Sequence, residues 1–219
     1  MLPFVIKDED VKQSMRIEPI FSIPVGNLQV DKVLIKKILA FIKSKDIKLN
    51  RNLGGNSISL DLYTLESDEL NDIKKVLTDS VNQYFKEIIN PGKDMKLYIT
   101  NSWINVNKNG ESHHPHNHPN SIVSAVLYID TCEEDTISFL NPNDNLFGNL
   151  LFSQNQDTQL LTRRLTTRAS NNTLIMFPST LQHAVNPRPN TCTGTRISLS
   201  FNTWFKGTIG MPASSLVIQ

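Results

Sequence analysis

The 219-residue chain has little cysteine: only Cys132 and Cys192, far apart. They form no CxxC pair and no zinc-finger spacing, so a thiolate metal cluster is not expected and a reducing, cytoplasmic setting is. An excess of charge of one sign is also missing. Lys and Arg total 22 against 21 Asp and Glu, a net charge of +1, and no basic patch of the kind that binds nucleic acid stands out. The pairs Lys36-Lys37 and Lys74-Lys75 fall on candidate helices, where a solvated face is the ordinary reading. Long apolar runs are absent too. The start, with Lys7, Asp8, Glu9 and Asp10, is expected to be neither a signal peptide nor a membrane anchor. There is no internal repeat and no low-complexity linker. The length suits a single domain over 1–219, and association into a homo-oligomer stays open.

Histidine is scarce but concentrated. Four of the five lie in His113-His114-Pro115-His116-Asn117-His118, and the fifth, His183, follows an apolar run ending in Phe177-Pro178. Imidazole is a good ligand for iron, copper, nickel and zinc. Alternate residues of an extended strand share a face, so His116 and His118 can grip one ion together. His183, from a distant strand, then closes a half-shell that leaves coordination positions open. The plainer alternative is a group of solvated surface histidines, and that is the expected state of His113 and His114.

Around this cluster the period of the chain changes. Asp31 can cap a helix to Ser44, with Leu34, Ile35, Ile38, Leu39, Phe41 and Ile42 as its apolar stripe. A second helix begins near Ser67, with Asp68 and Glu69 at its positive end, and Pro91-Gly92 ends it. Leu70, Ile73, Leu77, Val81, Tyr84, Phe85 and Ile88 recur along it at spacings of three and four. From Leu97 onward the runs are short and rich in strand formers: 97–106, 121–130, 136–140, 159–168, 173–177 and 196–205. The expected fold is mostly β with flanking α, a double-stranded β-helix (jelly roll) carrying the helices on its larger sheet. Its parts are a helical segment 1–95, a core 96–206 and a tail 207–219.

Spacing adds a resemblance. Asn105, Asn107, Gly110, His116 and His118, followed by His183 and Arg196-Ile197-Ser198, are ordered like the metal motif of iron(II)- and 2-oxoglutarate-dependent dioxygenases. Over nearly the whole chain, 21–25, Ser102-Trp103-Ile104-Asn105, His116-x-His118-Pro119-Asn120-Ser121, Phe177-Pro178-Ser179 and Arg196 to Asn202 resemble a family of such oxygenases common in bacteria and tailed phages. The resemblance implies Fe(II) as metal, 2-oxoglutarate as cosubstrate and molecular oxygen as co-reactant in a hydroxylase-type reaction. His116, His118 and His183 would hold the iron. Arg196 would anchor the far carboxylate of the cosubstrate, because guanidinium binds carboxylate in a fork and stays charged when desolvated. Ser198 shares its face, and Asn105 and Tyr128 are further candidates for the cosubstrate. Three departures matter. His118 stands where most of the superfamily has a carboxylate, and Asn107 stands where a cosubstrate-binding Tyr is usual. Asn202 replaces a second Arg of the nucleic-acid repair enzymes, so nucleic-acid demethylation is not implied.

Two other readings remain open. Gly110 and His116-x-His118 also fit the first half of a three-histidine cupin motif, although Ile122 and Val123 stand where its Glu would follow. A structural or binding jelly roll with a stabilising metal site is the third. The substrate, small molecule or protein, would lie over loops such as 141–156.

Overall fold

In a computed structural model of the chain, the structure describes residues 21–53, 55–143 and 162–219. The early charged residues Lys7 to Asp10, most of the expected substrate loop 141–156 and the start of the expected strand 159–168 lie outside the described residues. In chain order the elements are β1 (Gly26–Gln29), α1 (Lys32–Ser44), β2 (Leu49–Arg51), β3 (Ser57–Ser59), α2 (Asn71–Ile89), β4 (Lys96–Asn107), β5 (His113–His116), β6 (Val123–Asp130), β7 (Thr136–Leu140), β8 (Arg164–Arg168), β9 (Thr173–Pro178), β10 (His183–Val185), β11 (Arg196–Ile209) and β12 (Leu216–Ile218).

The helices form for the reasons their sequences suggest. Asp31 caps α1 by accepting from the Val33 amide at 2.7 Å. The segment Asp68–Leu70 is a 3-10 turn leading into α2, not its first α-turn. Asn90 ends α2 in the left-handed region at φ 48°, one residue before Pro91. Leu70, Ile73, Leu77 and Val81 are fully buried, so this stripe supplies the burial that stabilises the helix on the sheet.

Two antiparallel sheets face each other. The larger has the order β1-β9-β6-β11-β4-β3-β2, with β12 also paired to β11. The smaller has the order β5-β10-β7-β8. This is the jelly roll. Period-two alternation divides the large sheet: Leu127, Ile129, Leu174, Leu199 and Phe201 turn outward to the helices, while Val126, Tyr128, Ile175 and Phe177 turn inward to meet Ile137 and Phe139 of the smaller sheet. The two apolar clusters are thus opposite faces of one sheet.

Several elements were not expected from the sequence. Residues before 96 supply β1, β2 and β3 to the large sheet, and β12 pairs Leu216 to Ile218 with Ile209 to Gly207. Strands of three or four residues are too short to display a period, and only their pairing creates them. The cysteines also differ from expectation. Cys132 and Cys192 are joined in a disulfide, Cα atoms 5.9 Å apart, because the turn before β7 and the loop before β11 converge although they are distant in sequence. The inference of a reducing compartment from unpaired cysteines loses its ground. Among the described residues no helix is long and apolar enough to cross a membrane.

Candidate metal and cosubstrate site

The site opens between the two sheets. On the large sheet, alternate residues point into it: Arg196, Ser198 and Ser200 from β11, Trp103, Asn105 and Asn107 from β4, and Tyr128 from β6. Cross-strand register sets Arg196 opposite Asn107, and Ser198 between Asn105 and Tyr128. On the smaller sheet His183 of β10 pairs with His116 of β5.

His116, His118 and His183 converge, their candidate ligand atoms all within 4.8 Å of one another. The expectation that His116 and His118 share a strand is corrected. β5 ends at His116, and His118 lies in the segment that follows, held by its backbone amide donating to the Ser179 carbonyl at 2.9 Å. β5 is an edge strand carrying Pro115, which has no amide to extend the ladder. The rings still meet, at 5.0 Å between the centroids of His116 and His118 and 4.3 Å between those of His116 and His183.

Hydrogen bonds fix which nitrogen is free. His116 Nδ1 lies 2.8 Å from the His114 carbonyl and His183 Nδ1 lies 3.2 Å from the Leu181 carbonyl. A carbonyl only accepts, so Nδ1 carries the proton in both rings and Nε2 presents its lone pair. Burial keeps the rings neutral: it pushes His118 down to about 4 and His183 down to about 3, and it lowers His116 as well. Phe177 packs on the His183 ring at 4.6 Å and Trp103 on the His118 ring at 5.7 Å.

His113 is not the solvated histidine expected. It is half-buried, stacks on His116 at 4.0 Å between centroids, and accepts from Asn52 Nδ2 at 2.9 Å through Nε2. Asn52 Oδ1 accepts from the Leu53 amide, which fixes that amide's orientation. His113 Nε2 is therefore occupied, and the ring serves as a wall beside His116. His114 is exposed, as expected.

The remaining candidates divide. Asn105 donates to Ser200 Oγ at 2.9 Å and accepts from Trp103 Nε1 at 3.2 Å, so it braces the wall of the pocket. Ser198 is buried on the same face as Arg196. Trp204, by contrast, stacks on Phe205. Arg196 is 1% exposed, and its Nη1 reaches Asp135 Oδ1 at 3.3 Å. Among the described residues its Nη2 has no hydrogen-bond partner, and neither does the Tyr128 hydroxyl nor Asn107 Nδ2. All three residues line the pocket. Burial pushes the Tyr128 phenol up, so it stays protonated and can donate. Buried donors without acceptors are costly, and a carboxylate at the pocket floor would satisfy them. The residues present thus fit both groups that the sequence resemblance implied: three neutral imidazoles for a ferrous ion, and an anion-seeking floor for 2-oxoglutarate.

Sequence reasoning missed Asp135 and Arg188. The first follows Glu133-Glu134 and the second lies between Pro187 and Pro189, and both contexts read as solvated loop. In the fold they are 0% and 2% exposed.

Comparison with known proteins agrees with this geometry. Residues 101–202 match the family model described as "Putative 2OG-Fe(II) oxygenase". No curated protein matches. Among solved structures, a Pseudomonas putida prolyl-4-hydroxylase is 14% identical, with 83% of this chain and 93% of that chain covered and a TM-score of 0.55. HygX from Streptomyces hygroscopicus, solved with nickel and 2-oxoglutarate bound, is 8% identical, with 83% and 82% covered and a TM-score of 0.57. A 2OG-Fe(II) oxygenase family oxidoreductase from Burkholderia pseudomallei is 12% identical, with 82% and 83% covered and a TM-score of 0.56. At these identities the likeness is one of fold.

Proposed function

We propose, from the match of residues 101–202 to the model of a 2OG-Fe(II) oxygenase family, that this chain hydroxylates an unactivated C–H bond of a small molecule or protein, with His116, His118 and His183 as iron ligands and Arg196 as cosubstrate anchor. The observation that carries the reading is a juxtaposition. Three convergent, neutral imidazoles stand in the same pocket as the unpartnered Arg196 Nη2 and Tyr128 hydroxyl. Iron with 2-oxoglutarate supplies oxygen activation coupled to decarboxylation of the keto acid.

The chain's own residues do the rest. His116 and His183 are oriented by carbonyls that hold the proton on Nδ1, so no proton must leave before metal binds. Arg196 Nη2 and Tyr128 would donate to the distal carboxylate, and Ser198 would add a hydroxyl on the same face. Phe177 and Trp103 border the ligand rings and exclude water from that side. Three neutral ligands leave the centre one unit more positive than a site with a carboxylate ligand, which favours the anionic keto acid electrostatically. A reducing compartment such as the cytoplasm would keep the iron ferrous, and there the Cys132–Cys192 bond would face reduction.

A structural metal site is the second reading, and the Arg196–Asp135 pair is the observation in its favour. Anaerobic calorimetry separates the two. Iron(II) should bind one per chain, and 2-oxoglutarate should then bind the loaded protein. Iron binding with no heat from 2-oxoglutarate would leave the structural reading.

A further inference from the structure

Behind the pocket floor lies a buried cluster of three charges. Asp135, 0% exposed, accepts from the Cys132 amide at 2.8 Å and pairs with Arg196 Nη1 at 3.3 Å. Its other oxygen lies 3.4 Å from Arg188 Nε, close enough for attraction but without hydrogen-bond alignment. Arg188 is held elsewhere: Nη1 donates to Asn109 Oδ1 at 2.6 Å and to the Gly194 carbonyl at 2.9 Å, and Nη2 donates to the Thr193 carbonyl at 3.0 Å. Arg188 does not line the pocket.

The charges do not balance. Among the described residues two guanidinium groups face one carboxylate, and guanidinium does not lose its proton in proteins. Tyr128 is no counter-anion, since burial raises its phenol. Among the described residues the pocket lining contains no Asp or Glu. A single buried positive charge is therefore left over. It emerges on the pocket side, where Arg196 Nη2 has no partner among the described residues. Buried uncompensated charge is expensive, and one carboxylate delivered by a ligand removes that cost.

We propose that Arg188 and Asp135 are positioning residues that tune this pocket to a dicarboxylate. Asp135 tethers Arg196 so that Nη2 faces the pocket. Arg188 shares Asp135 and so prevents it from neutralising Arg196. The inference rests on the 2-oxoglutarate reading and adds to it. The preference for a second carboxylate is set by a residue that never touches the ligand.

The test uses the full chain loaded anaerobically with iron(II) and measures two affinities. One ligand is 2-oxoglutarate. The other is 2-oxopentanoate, which has the same carbon chain and lacks the distal carboxylate. Arg188→Gln should weaken 2-oxoglutarate by roughly tenfold or more while 2-oxopentanoate changes little, so their ratio collapses. Arg188→Lys keeps the charge and should restore most of the ratio. Asn109 is exposed, and Asn109→Asp is a second variant: it places a carboxylate beside Arg188, gives up the Nδ2 bonds to the Asn190 and Cys192 carbonyls, and should lower the ratio by roughly threefold. A structural role alone would change melting and leave the ratio fixed. A wild-type ratio in both Arg188→Gln and Asn109→Asp overturns the proposal and spares the cosubstrate reading. A wild-type protein that takes neither keto acid overturns both.

Discussion

Replacing Arg196 with Ala separates its role as anchor from its role in the fold. The substitution removes the guanidinium whose Nη2 is free in the pocket. A buried distal carboxylate would then face only neutral donors. Loss of a buried charged partner costs about 2–5 kcal/mol, so the Kd for 2-oxoglutarate should rise roughly thirtyfold to several thousandfold. The fold should suffer less. Breaking a buried ion pair usually costs about 3–5 kcal/mol because one charge is stranded. Here Asp135 keeps the Cys132 amide at 2.8 Å and Arg188 at 3.4 Å, and the cluster changes from two cations and one anion to one of each. Destabilisation should therefore fall well below that range. Iron(II) affinity should not move, since the imidazoles are untouched. Calorimetry with iron(II) and then 2-oxoglutarate, beside urea unfolding of the apo-protein, reads all three quantities. Equal 2-oxoglutarate affinity in wild type and variant would refute the anchor. A full 3–5 kcal/mol loss of apo stability would refute the charge accounting behind it.

Other substitutions probe the remaining parts. His183→Ala should abolish stoichiometric iron(II) binding, while His114→Ala should leave it intact and His113→Ala should keep one ion per chain; elemental analysis after gel filtration checks all three. Apo-protein stability should depend on pH in one direction. His118 and His183 are held at about 4 and about 3 against an ordinary 6.5, so the unfolded chain protonates first. Their contribution is then complete above 6.5 and is lost as pH falls toward 4; a melting temperature that is flat or rises between pH 7.5 and 5 would contradict it. Replacing Cys132 and Cys192 with Ser opens a loop with a sequence separation of 60, and loop-closure entropy puts the loss at about 4 kcal/mol in urea unfolding. No measurable loss would mean that the two loops are held by other contacts.

The sequence displayed what has a period. Ile73, Leu77 and Val81 repeat at helical spacing and are buried as that spacing requires. The long strands β4, β6 and β11 alternate, so the inward face of Arg196 and Ser198 followed from counting by two. The meeting of His116, His118 and His183 was also legible, because ligand chemistry restricts which residues can converge. What stayed hidden depends on pairing between distant segments. β5 and β10 have four and three residues, and only their mutual register makes them strands. His113 read as a loop residue because its partner Asn52 lies 61 positions away. Asp135 and Arg188 carried no local signal, since a charge in a run of acids or between two prolines looks solvated until the fold buries it. The disulfide was missed for the same reason.

The central claim is that one pocket holds iron(II) through three imidazoles and 2-oxoglutarate through Arg196. Its most direct test is an anaerobic titration of the iron(II)-loaded protein with 2-oxoglutarate, followed by visible absorption. Chelation of ferrous iron by the 1-carboxylate and 2-keto oxygens should produce a metal-to-ligand charge-transfer band that saturates at one equivalent per chain and disappears in His183→Ala. A colourless, saturated mixture, or a band that survives His183→Ala, would contradict the account.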